Sequence, residues 1–237
     1  MFQDALLATK TGDAIEAAIE LNKRKELTPM QTRLWALSLN VIRHATPGSL
    51  AAVATIIDAP DTSRYAWLGA GALVGRYCRE HECSSSAPEL SALLAKLATP
   101  IAGGCKPKTK EAENKVILSL KSLRNARFLG NNADAVASCA SDTSIPARVR
   151  VAALEAFLAE SCSSKLRKTA LAILKNIEED SEIRIKAYLA LVDCPNAELA
   201  TAIKDLVENE PSNQVSNLSN VTIFGFITFW FSALPKS

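Results

Sequence analysis

Histidine is scarce in this chain of 237 residues: there are two, His44 and His81, so general-base catalysis by imidazole has few candidates. Glycine and proline number only 9 and 10, and the aromatics 13 (3 Trp, 3 Tyr, 7 Phe). A β-sandwich or barrel needs β-branched and aromatic residues with frequent turns, so these shortages argue against that class. Net charge is small too. With 27 basic and 25 acidic residues the chain carries +2, and no global field points to nucleic acid or an anionic membrane. No apolar run is long enough to cross a bilayer: Val221 to Leu234 is 14 residues, against about 20 for a spanning helix. Met1-Phe2-Gln3-Asp4-Ala5 has no basic stretch leading into an apolar one, so no signal peptide is read there.

What is abundant is alanine, with 38 residues, and leucine, with 29. Both lose little on entering a helix, so an all-α fold is expected. At 48% hydrophobic residues, collagen-like and disordered classes fall. The aromatics are unevenly placed, since Phe224, Phe226, Phe229, Trp230 and Phe231 all lie in the last 14 residues. Basic clusters at Lys23-Arg24-Lys25, Lys106 to Lys110 and Lys165 to Lys168 are short, with acidic residues nearby, and read as solvated helix faces.

Start and stop signals cut the chain into eleven or twelve helices of about 10 to 20 residues, with no strand before the tail. Thr28-Pro29 opens one, and its Met30, Leu34, Leu37 and Val41 share a face. Thr46-Pro47 opens the next, Asp61 or Ser63 another to about Glu82, and Ala87-Pro88 one to Ala98. Further helices are expected at 108–123, from an Asn131 cap to Cys139, from Ser144-Ile145-Pro146 through Leu158, and at 163–176, 181–193 and 196–208. Val149-Arg150-Val151-Ala152-Ala153 aligns with Ile183-Arg184-Ile185-Lys186-Ala187 at an offset of 34, and Ala156-Phe157 with Ala190-Leu191. Two helices per 34 residues is the signature of an α-solenoid, a two-layer superhelix of stacked helix pairs.

Chemical motifs are few. Gly69-Ala70-Gly71-Ala72-Leu73-Val74-Gly75 has the wrong spacing for a dinucleotide loop and no preceding strand, so it reads as small residues permitting close helix packing. No P-loop, GxSxG elbow or HExxH is present, and neither a catalytic site nor a cofactor is expected. Six cysteines remain. Cys78 and Cys83, with His81 between them, could form a local disulfide or, with Cys105, part of a zinc site. Cys105 and Cys139 flank an expected antiparallel hairpin, where a bond would staple one repeat and stabilise it by about 4 kcal/mol in the chain-entropy model. Cys162 and Cys194, 32 apart, could pair across stacked loops or lie too far apart to do so.

Arg64-Tyr65-Ala66-Trp67-Leu68-Gly69, Tyr77-Cys78 with Cys83, the stretches 149–157 and 181–191, and Cys194-Pro195 together resemble the α-helical domain of the large lipid transfer proteins. That family contains the vitellogenins, apolipoprotein B, the microsomal triglyceride transfer protein and the arthropod apolipophorins; Glu208 to Val215 is most similar to the last group. The resemblance implies disulfides Cys78–Cys83 and Cys105–Cys139, a non-enzymatic role as helical scaffold of a circulating lipoprotein, lipid as partner, and secretion. It covers residues 1–215. Residues 216–237 depart from the family and read as an apolar tail, the mark of a splice variant, a read-through intron or a gene-model error. The tail carries two glycosylation sequons, Asn217 and Asn220. Family members begin with a signal peptide and a β-barrel and continue into lipid-cavity sheets, so those β-sheet domains are expected as partners. The competing expectations are a free-standing helical-repeat module that binds a protein, and a zinc-dependent enzyme.

Overall fold

The described residues of a computed structural model are 5, 8–59, 62–81, 83, 87–209, 214 and 215. Among them the chain forms eleven α-helices and no strand: α1 Gly12–Lys23, α2 Pro29–Ser38, α3 Pro47–Ala54, α4 Arg64–Glu80, α5 Pro88–Ala98, α6 Lys110–Ala126, α7 Ala133–Ser141, α8 Ala147–Ala156, α9 Ser164–Lys175, α10 Ser181–Val192 and α11 Ala197–Asn209. Short 3-10 turns extend α2, α5 and α8 and precede α7. The tail, with Asn217 and Asn220, lies outside the described residues.

Capping chemistry explains the starts. Thr28 and Thr46 each cap a helix whose first residue is proline, and each forms a reciprocal box, with Gln31 and Ser49. Ser63 caps α4, its hydroxyl accepting from the Ala66 amide at 3.3 Å. The expected Asn131 cap is not formed. A 3-10 turn, Gly130–Asn132, leads into α7 instead, and Asn132 Nδ2 donates back to the Leu129 carbonyl at 2.9 Å.

The chain divides into two compact units, residues 1–160 and 161–237. In the first, alternate helices are neighbours: α1, α3 and α5 form one row, and α2, α4, α6 and α8 the other. The glycines of the GxGxxxG segment are helical and mark close approach. A Cβ on Gly71 would lie 2.0 Å from the Ser122 carbonyl oxygen of α6, and one on Gly75 2.6 Å from that of Asn125. Gly69 faces the other neighbour, where a Cβ would meet Leu39 Cβ at 2.6 Å. In the second unit α9 packs against α10 and α11.

Three of the apolar pairs matched at offset 34 are core in both units. Val149 and Ile183, Ala153 and Ala187, and Phe157 and Leu191 are all buried. Helix α2 departs from the core pattern. It buries Trp35 and Ala36, followed by Leu39, whereas Met30, Leu34, Leu37 and Val41 are 73, 45, 43 and 51% exposed. The shared face read from their spacing exists, but the fold covers its opposite.

Candidate functional site

Cysteine chemistry sits at helix ends. Cys78, in the last turn of α4, is joined to Cys83, Cα to Cα 4.9 Å. Cys105, ahead of α6, is joined to Cys139 in the last turn of α7 at 5.3 Å, both sulfurs in the core. Cys162, ahead of α9, is joined to Cys194, just past α10, again at 5.3 Å. This third pair does not bridge stacked loops. Because α9 and α10 form one antiparallel hairpin, the residues before the first helix and after the second meet. Arg167 reinforces that end by donating to the Cys194 carbonyl. The four residues of a possible zinc site are divided: Cys78 and Cys83 engage each other, Cys105 engages Cys139, and the His81 ring lies 4.5 Å from that of Tyr77. Among the described residues no three His, Cys, Asp or Glu side chains are grouped to hold a metal ion.

Two arginines, of a residue type found mostly at the surface, are buried. Arg150 is 4% exposed and Arg184 1%. Arg150 Nε donates to the carbonyl of Ala140 at 2.9 Å, and Arg184 Nε to that of Leu174 at 3.1 Å, each ten residues back. Both acceptors belong to the last turn of the preceding helix, whose carbonyls lack intrahelical partners and carry the negative end of the dipole. The guanidinium therefore closes each hairpin. Sequence reasoning missed this role, although the signal was present as one arginine recurring between β-branched residues at offset 34. Ion pairs join neighbouring helices as well: Arg148 to Glu113 at 3.0 Å and Arg124 to Glu155 at 3.9 Å, both between α8 and α6.

The α2 surface is the most unusual exposed feature. Its apolar stripe borders Arg33 in sequence, and Tyr65 on the neighbouring α4 is exposed as well. Arg64 Nη2 donates to the Tyr65 hydroxyl at 3.2 Å; this bond, then the guanidinium charge, then Arg33 lower the Tyr65 pKa from its usual value. Behind α2 a cavity of about 460 Å³ is lined by Trp35, Ala36, Ile56 and Ala66 among others.

The whole-chain comparisons add to this helical architecture. The family description "Vitellogenin TPR domain" matches residues 1–223. The chain belongs to the vitellogenin TPR domain family. Its relatives include the apolipophorins of Manduca sexta, 46% identical over 92% of the chain, and of Drosophila melanogaster, 36% identical over all of it. A vitellogenin from Penaeus merguiensis is 25% identical over 91%. This vitellogenin TPR chain spans 7 to 8% of the length of those three relatives. In fold it is similar to a solved structure titled "Lipid-protein interactions in lipovitellin", with a TM-score of 0.74 and 24% identity, covering 90% of this chain and 23% of that one. Among the described residues of this family member no helix is long and apolar enough to cross a membrane.

Proposed function

We propose that this chain is the helical scaffold of a secreted lipid-carrying lipoprotein and acts without catalysis. The observation that carries the reading is the 46% identity to an apolipophorin over 92% of the chain. The residue chemistry agrees with it: the polar groups described above go into closing hairpins and tying rows of helices. On this reading residues 1–215 belong to one family domain of helix pairs, and the three cysteine pairs are permanent staples formed in an oxidising compartment. Lipid would be held mainly by other parts of a longer protein, with this domain as a supporting wall.

The test is recovery of the full-length protein from haemolymph or culture medium, followed by density flotation and extraction. Buoyant protein with co-purifying phospholipid or diacylglycerol is the expected result. A lipid-free protein bound to a protein partner would return the chain to the helical interaction module. Thiol counting on the unreduced protein separates the same readings, since six free thiols would remove the secreted scaffold.

A further inference from the structure

Among the described residues nothing buries the outer face of α2, and its chemistry says what would cover it. Met30, Leu34, Leu37 and Val41 follow one another at spacings of four, three and four, so they stack as a single narrow stripe along the helix and its 3-10 extension. The opposite side, Trp35, Ala36 and Leu39, is already in the core. A helix apolar on both sides belongs where both sides are covered.

The sequence around the stripe is basic. Residues 23–43 contain Lys23, Arg24, Lys25, Arg33 and Arg43 against the single acid Glu26, a net +4 where the whole chain is +2, so the remainder carries −2. All five basic side chains are exposed, and among ion pairs between described residues Arg24 meets Glu20 at 3.1 Å. Tyr65 of α4, which packs against α2, is held by Arg64 and adds an exposed amphipathic ring. Aliphatic stripe, cationic border and interfacial tyrosine are together the pattern of a helix lying in the plane of a lipid interface.

We propose that this face of α2 docks on a phospholipid surface, the four aliphatic side chains entering the acyl boundary and the lysines and arginines meeting phosphates. The inference rests on the lipid-carrier reading above and assigns to it a contact surface on the outside of the helical domain. A second copy of the chain fits less well, because pairing through the stripe would bring two borders of +4 together. The chain's own tail fits less well too: its one charged residue in 216–237, Lys236, is basic.

The experiment is flotation of the full, oxidised chain with vesicles of phosphatidylcholine, with and without phosphatidylserine. Wild type should float with both, more with the anionic vesicles, and the excess should fall with salt. Leu34→Asp with Leu37→Asp changes only exposed positions, so the far-UV spectrum should persist while partitioning falls about ten-fold or more on both vesicles. Arg33→Gln with Arg43→Gln should lower binding to the anionic vesicles alone, and provides the test if the aspartates unfold the chain. Leu189→Asp, at an exposed apolar site of the second unit, should leave flotation unchanged. Wild type that floats with neither vesicle, or a double aspartate variant that floats as wild type does, overturns the proposal. So does a wild-type dimer that the same variant dissociates while no vesicle is bound. Those results leave the scaffold reading standing if the full-length protein still carries lipid; a lipid-free full-length protein removes that reading whatever the vesicles show.

Discussion

At the scale of single residues the fold depends on atoms that are absent and charges that are hidden. Gly71 has no room for a methyl group, since its Cβ would sit 2.0 Å from a backbone oxygen that cannot rotate away. Gly71→Ala should therefore destabilise the first unit by about 3 kcal/mol, overpacking outweighing the gain of about 1 kcal/mol in helix propensity. Thermal unfolding of the two proteins checks it; an unchanged or raised Tm would show that α4 and α6 can separate at no cost. Asp142 offers a second test. Lys106 Nζ lies 2.8 Å from one of its oxygens, and the Ser144 hydroxyl and amide donate to the other at 2.6 and 2.9 Å. The lysine first, then the serine, hold this carboxyl well below the usual range. A depressed carboxyl contributes stability above the unfolded value of about 4 and loses it as pH falls. The difference in Tm between wild type and Asp142→Asn should be present at neutral pH and shrink below about pH 4, by an amount kept small by solvent exposure.

At the scale of elements, the hairpin explains what could and could not be read in advance. Helix starts were legible where Thr-Pro pairs supply both cap and first residue, as at Thr28 and Thr46, because the signal is local. The packing role of the Gly69–Gly75 segment was legible because helix periodicity and small size leave one reading. The exposure of Met30, Leu34, Leu37 and Val41 was not, since spacing reveals that a face exists and not what lies against it. The geometry of Cys162 and Cys194 was missed for a related reason: deciding which helices form a hairpin is a long-range property. Burial now ranks the three bridges. Cys162 is exposed while Cys105 and Cys139 are in the core, so mild reductant followed by alkylation and mass mapping should label Cys162 and Cys194 first and the core pair last. Labelling in the reverse order would place the α9–α10 hairpin end out of solvent reach.

At the scale of the whole molecule the contrast is between an alanine- and leucine-rich body and its last residues. Ile223 to Phe231 has no charge and consists mostly of β-branched and aromatic residues, the composition of an aggregation-prone segment. Ending the chain after Val215 should raise soluble yield and suppress light scattering on heating; equal scattering from both proteins would move the liability into the body. The buried arginines carry a consequence for how such a body can vary. Arg150 and Arg184 each reach a carbonyl ten residues earlier, across turns of the same size, 142–146 and 176–180. An extra residue in either turn would pull the guanidinium off its acceptor and strand a charge in the core. These two turns thus act as length standards, closed to insertion. Room for change is found instead at Gly103, where nothing lies within 4 Å of the space a Cβ would take. At these two turns, the hidden arginines set how long the chain can be.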